Sequence, residues 1–527
     1  MRTRTVVAAA LLAAMAVPLG ACRRALAPSI IVYGRGEDAE SLDPQGIDDG
    51  ESAKVVNNLF ESLVTFGPGN ADVVPCLAES WTTSPDGLEW TFRLRPNVKF
   101  HDGTPMDSAA VLFSFERLLV EKSPSAPPEK VPYASFYRDA ILAVVPKGPD
   151  AVLFKLRRPY APFLANLAMF AASIVSPAAV NSSGPKAFGQ APVGTGPYRL
   201  ESWARGEKKI VLVGNPAYWG EPPAVPKVVF RTIPDKNSRL TALRAGDINW
   251  LDTINPEDLE PCRRDPRLKV WSATGMNVGY LAMNTERKPF DDVRVRRAVS
   301  LAVDRKKLLD TLYYGAGTPA VHPMPPAVPG YDASVPLPAA DPAAAKALLA
   351  QAGFPEGFET DLYAMPNDRP YFPSPLKIAE VLKADLATAG IRVKITTPGD
   401  FSLYREALSN GRHSLGMLGW TGDNGDPDNF LYTFFAKENA VKGAGALNIS
   451  FWVDPRMQDL LRQGQEEFEP AKRAAIYARA LALVREEVPL VPIAHADAVF
   501  VSRAGFEGFH VQPTGDLILR VVKPPAE

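Results

Sequence analysis

Residues 415–430 read LGMLGWTGDNGDPDNF, an apolar run followed at once by glycines, aspartates and a proline. Leu415 to Trp420 is short, mostly apolar and bounded by turn residues, which predicts a strand buried on both faces. Gly422, Gly425 and Pro427 forbid a helical turn directly after it, so the acidic loop leaves the carboxyl end of that strand. In open α/β sheets the connections diverge at that end and leave a crevice in which ligands bind. An acidic group there has a cation as its natural partner. Glycine at 422 and 425 lets backbone approach a ligand closely, and Trp420 offers a flat surface of low conformational entropy beside it.

Upstream, Thr360 to Met365 reads as a strand, Leu376 to Ala389 as an amphipathic helix and Ile391 to Thr397 as a strand, a βαβ unit with a right-handed crossover. Arg369 lies in its strand-to-helix connection, MPNDRPYFPSP, so it too leaves the carboxyl end of a strand. Arg369 and Asp423 are therefore expected to face one crevice from two strands of one sheet. Such a pair is either an internal salt bridge or two halves of a ligand clamp. In the clamp, Arg369 holds a carboxylate through two parallel N–H donors and Asp423 accepts from an ammonium. A short peptide has both groups, and each loses water on enclosure and needs an opposite charge.

A calcium loop does not fit the aspartates. With Asp423, Asp426 or Asp428 as loop position one, position twelve is Phe434, Lys437 or Asn439, where an EF-hand requires glutamate. Asp426 and Asp428 are instead expected to accept from local backbone amides as turn formers. No Walker A, H-E-x-x-H, G-x-S-x-G or complete G-x-G-x-x-G motif is present, and the five histidines are dispersed. No catalytic residue, cofactor or metal is expected. A secreted hydrolase using Asp423 and Asp426 is the alternative from another class, but no nucleophile or acid/base arrangement accompanies it.

The remaining chain continues the α/β pattern. Ile30 onward is strand-like, and Ala53 to Phe60 reads as a helix. Residues 78–106 read as a hairpin closed at Asp86-Gly87, with Trp81, Trp90 and Phe92 inward. Asp107 caps a helix over Ser108 to Leu119, and Gly246 ends another over Lys236 to Ala245. After Met276 a strand and two helices separated by Asp304 open a second lobe. With 527 residues, two or three domains are expected. A net charge of -1 gives no footprint for nucleic acid.

At the amino terminus, Arg2 and Arg4 precede an apolar run from Val6 to Val17, too short to span a bilayer as a helix. Leu19-Gly20-Ala21-Cys22 follows and resembles the lipobox of bacterial lipoproteins, which implies a signal peptide over 1–21 and lipidation of Cys22. The mature chain would keep Cys76 and Cys262, whose pairing the sequence leaves open, with the unpaired state preferred.

The blocks AESWTTSPDGLEWTFRLRPNVKFHDGTP, PVGTGPYRL with NPAYWG, GYLAMNTERKPFDDVRVRRAVSLAVDR, and DRPYFPSP followed by GWTGDNGDPDNF resemble family 5 solute-binding proteins of ABC importers, and within them the dipeptide-binding group. The resemblance implies an α/β, two-lobed periplasmic-binding-protein-like fold of three domains around a ligand cleft. Residues 22–60, 190–276 and 492–527 would form a discontinuous core domain, 61–189 an extra domain and 277–491 the second lobe, with crossovers near Asn277 to Gly279 and Pro492 to His495. Arg369 would take the peptide carboxylate and Asp423 the amino terminus, with Tyr371, Trp420, Thr421 and Gly422 beside them. Gly34 stands where the dipeptide group has a cysteine, and Phe401 or a neighbour replaces the family tryptophan. The implied partners are a dipeptide or short peptide, and permease and ATPase subunits, with a monomeric protein held at the membrane by lipid. Another solute on the same fold (a longer peptide, haem, a nickel chelate, an opine or a sugar) is the alternative.

Overall fold

The computed structural model describes residues 29–526, so the expected signal peptide and Cys22 lie outside the described residues. A 12-stranded sheet runs through two layers of the molecule in the order Ile391–Thr396, Phe358–Tyr363, Leu415–Thr421, Asn277–Met283, Leu490–Arg503, Trp250–Asp252, Ile30–Arg35, Lys227–Thr232, Lys209–Gly214, Tyr198–Ala204; Leu268–Thr274 and Gly317–Pro319 also pair with Leu490–Arg503. The strand Leu490–Arg503 is shared. Its first half pairs with Asn277–Met283 and Gly317–Pro319, its second with Leu268–Thr274 and Trp250–Asp252. The change of partner falls between Ala496, opposite Gly317, and Asp497, opposite Thr274, just beyond the expected Pro492 to His495.

Asn277 ties the two strands that cross there. Its Nδ2 donates to the Ala496 carbonyl (2.9 Å) and its Oδ1 accepts from the Ala496 amide (2.9 Å), so the side chain replaces a backbone rung where the ladder breaks. The Asn277 carbonyl is 2.7 Å from His495 Nδ1.

In the half-sheet that follows, Phe358–Tyr363 pairs in parallel with both Ile391–Thr396 and Leu415–Thr421. The expected βαβ unit is present, its helix running Pro375–Thr388. Leu415 to Leu418 are buried with both glycines of the strand, as a strand covered on both faces requires. In the other half-sheet the period of two is visible, with Ile31 and Tyr33 in one apolar cluster and Val32 in another across the sheet.

A separate four-stranded antiparallel sheet holds the expected hairpin, Ala78–Thr83 with Glu89–Leu94. Trp90 and Phe92 are buried in its core, whereas Trp81 is only half-buried at its margin. Aspartates start several of the helices: Asp107, Asp235, Asp304, Asp341 and Asp400 each accept from a first-turn amide. Cys76 and Cys262 are both buried and unpaired.

Candidate functional site

Because Phe358–Tyr363 and Leu415–Thr421 are adjacent and parallel, the loops carrying Arg369 and Asp423 leave the sheet side by side. Arg369 is fixed by its backbone: its amide donates to the Phe372 carbonyl (3.0 Å) and its carbonyl accepts from the Phe372 amide (2.9 Å). Tyr371 and Phe372 anchor this turn on two glycines. Phe372 fills the space where a Cβ on Gly279 would stand, and the Tyr371 ring occupies that of Gly419. The Arg369 guanidinium lies 3.7 Å from the ring centre of Phe401, and its Nε is buried without a hydrogen-bond partner.

Asp423 is held from three sides. Tyr133 donates its hydroxyl to Oδ1 (3.0 Å), Asn429 donates Nδ2 to Oδ2 (3.4 Å), and the Asp423 amide donates to Asn429 Oδ1 (3.1 Å). That same Asn429 oxygen accepts from Trp420 Nε1 (2.9 Å), so one amide side chain orients both the tryptophan and the aspartate. Enclosure between the lobes pushes the Asp423 carboxyl up to about 6; the Asp516 carboxylate adds to the rise, and the bonds from Tyr133 and Asn429 oppose it. Asp516 reaches this place from the last segment of the chain. It accepts from Asn57 (2.6 Å) and Thr514 (2.8 Å), and burial raises it too.

Among the described residues neither Arg369 nor Asp423 belongs to an ion pair. The neighbouring charges are engaged elsewhere, Asp368 with Lys236 (2.6 Å) and Asp426 with Arg473 (2.6 Å). The internal salt bridge is therefore not what the structure contains.

Several expected roles change. The glycines serve packing rather than ligand approach: a Cβ on Gly422 would lie 2.6 Å from Phe430, and one on Gly425 2.5 Å from Ala71. The Gly422 amide is used by the Met276 carbonyl (2.6 Å), and the Met276 amide by Pro513 (2.7 Å), which straps the acidic loop to the segment carrying Asp516. Asp426 does accept from a local amide, that of Asp428 (2.9 Å), but its main partner is Arg473, bound through both guanidinium nitrogens. Asp428 is not a turn former. It accepts from Gln465 (2.8 Å) and Tyr160 (3.4 Å), and burial, then the charge of Asp426, lifts it to about 7. Tyr371 is almost covered, and its carbonyl accepts from the Tyr313 hydroxyl (2.7 Å). Thr421 ends its strand opposite Asn277, half-buried beside Trp420.

Tyr133, Asn429 and Asp516 were missed by sequence reasoning. Asn429 lies within the acidic stretch itself. Tyr133 and Asp516 carried no local signal. Direct contacts close the lobes over this region: Asn424 donates to Asn166 (2.7 Å), Arg158 to Gln465 (2.7 Å), and the Ala161 amide to the Gln465 carbonyl (2.7 Å).

With this geometry in place, comparison with known proteins locates the chain among them. The model of bacterial extracellular solute-binding proteins, family 5 Middle, matches residues 72–442. The chain is 35% identical over 503 residues to the dipeptide-binding protein of Escherichia coli (strain K12), covering 92% of each. The solved structure of HbpA2 from Haemophilus parasuis superposes with a TM-score of 0.86 at 30% identity, over 94% of this chain and 100% of that one. The dipeptide-binding protein from Pseudoalteromonas sp. SM9913, solved in complex with Met-Leu, does so with a TM-score of 0.81 at 30% identity, over 94% and 100%.

Proposed function

The chain belongs to the family 5 extracellular solute-binding proteins, and from that premise we propose that it captures dipeptides or short peptides between its lobes, carboxylate on Arg369 and ammonium on Asp423. One observation carries the reading: two opposite charges on adjacent parallel strand ends, each oriented by neighbours and neither neutralised by the protein. A zwitterion of matching length satisfies both at once, and Trp420, Tyr371 and Thr421 form the wall beside it. The relative solved with Met-Leu supports a cargo of this class.

Family members are periplasmic binding proteins, and among the described residues no helix is long and apolar enough to cross a membrane. In our reading the protein is an extracytoplasmic monomer anchored through lipidated Cys22. It delivers peptide to a permease and its ATPase subunits and performs no chemistry on it. Residues 22–60, 190–276 and 492–527 act as the core domain, 61–189 as the extra domain and 277–491 as the moving lobe. Micromolar affinity corresponds to about -8 kcal/mol, within reach of two charged contacts and an enclosed backbone.

Titration calorimetry with free, N-acetylated and carboxy-amidated dipeptides tests the clamp. Removing either charge leaves a protein group buried and unpaired, and is expected to weaken binding by about a hundredfold. Equal affinities for free and blocked peptides would refute the assignment.

A further inference from the structure

The helix Phe401–Ser409 lies across the strand ends from which the Arg369 and Asp423 loops depart. Its Tyr404 hydroxyl donates to the carbonyls of Tyr363 (3.2 Å) and Met417, residues of those two strands, and Asp400 caps it by accepting from the Leu403 amide (2.8 Å). Phe401, in its first turn, is the platform beneath the Arg369 guanidinium. Arg405 stands four residues later, one helical turn on, and so rises from the same face as Phe401. Burial raises the hydroxyls of Tyr280, Tyr371 and Tyr404, and the Arg405 charge opposes that rise through space.

Arg405 has no counter-charge of its own. Among the described residues it enters no ion pair and no hydrogen bond, although it is half-buried. The next residue, Glu406, turns instead to Arg412 (3.6 Å), and the Asp400 carboxylate is occupied by its cap. Other covered arginines of this chain do have partners: Arg473 has Asp426, Arg296 has Glu487 and three carbonyls, and Arg239 has the carbonyls of Ile233, Pro234 and Thr253. Arg405 thus shares a helix face with the ring that carries Arg369, and among the described residues neither arginine has a carboxylate partner. Like charges so placed repel, and an anion bridging them recovers that energy.

We propose that Arg405 is a second carboxylate-reading group, selecting peptides whose carboxyl-terminal residue is acidic: the α-carboxylate on Arg369, the side-chain carboxylate on Arg405. This rests on the proposed peptide cargo and deepens it.

The test is calorimetry at low salt with Ala-Glu and its neutral isostere Ala-Gln, and with the reversed pair Glu-Ala and Gln-Ala. Ala-Glu is expected to bind about tenfold more tightly than Ala-Gln, ~1.4 kcal/mol, with no such ratio in the reversed pair. In Arg405→Gln the Ala-Glu to Ala-Gln ratio collapses to about one, and Arg405→Lys, which keeps the charge and loses the planar fork, restores part of it. A wild-type ratio of one, a ratio that survives Arg405→Gln, or a preference that follows Glu-Ala instead would overturn the inference while leaving the peptide reading intact. Absence of binding by all four peptides would remove both.

Discussion

At the scale of single residues, the Asp423 carboxyl is raised toward neutrality. Burial first, then Asp516, lifts it to about 6, and an ammonium can bind only its ionised form. Ligand thus competes with a proton. Affinity is full above about pH 7 and falls as pH drops through 6, reaching about a tenfold loss at pH 5. Calorimetry across that range checks this; Asp423→Asn should bind weakly at every pH, and a wild-type Kd that stays level from pH 8 to 5 would contradict the ammonium contact. The stability of the ligand-free protein has the opposite slope. A carboxyl raised in the folded state stabilises it below the unfolded value near 4, and that contribution is lost as pH rises through the folded value. Asp428, at about 7 and held by Gln465 of its own lobe, therefore predicts a lower melting temperature at pH 8 than at pH 5 without peptide. Asp423 and Arg369 were legible because a loop's place after a strand is local information. Tyr133, 290 positions from Asp423, and Asp516 were not, since only the closed fold brings them there.

Among the elements, legibility followed end signals. The helices Ser108–Leu119 and Lys236–Ala245 match their reading to the residue; an aspartate caps the start of each, and Gly246 marks the end of the second. The helix Phe401–Ser409 has equivalent marks, Asp400 before it and apolar positions 401, 404 and 408 within it, yet the absence of a family tryptophan singles out one residue and hides the period. The acidic loop shows the reverse difficulty. Asp426 looks like a turn aspartate and is one, but its energetic role is set by Arg473 on the helix Pro470–Glu487, with side chains 7% and 14% exposed. Removing one partner of such a pair strands a charge, so Arg473→Ala should cost about 3–5 kcal/mol, whereas the double replacement Asp426→Leu with Arg473→Met should recover much of it. Denaturant unfolding of the ligand-free protein measures both. A loss under about 1 kcal/mol for Arg473→Ala would mean that the pair is solvated in solution.

For the whole molecule, order along the chain already implied two lobes, but the surfaces that meet on closing join residues far apart in sequence and leave no pattern in it. The shared strand Leu490–Arg503 and the Asn277 clasp join the two half-sheets at one crossing point, so closure is a hinge motion whose extent the facing surfaces limit. Ligand favours the closed state only through interactions that the open state lacks. Gly425 sits at this limit. It faces Ala71 of the opposite lobe, and its backbone lies outside the left-handed region, so a larger side chain adds bulk to the interface without straining the loop. Gly425→Val should then hold the lobes apart: peptide affinity falls by about ten- to a hundredfold, chiefly through faster dissociation, because a wedged cleft cannot enclose the peptide from both sides. The melting temperature without peptide should stay near the wild-type value, since neither lobe's core is touched. Small-angle scattering separates closure from local damage. Wild type contracts on adding saturating dipeptide, and the variant keeps its ligand-free radius of gyration; a variant that contracts fully and binds as tightly as wild type would show that this contact does not limit closure.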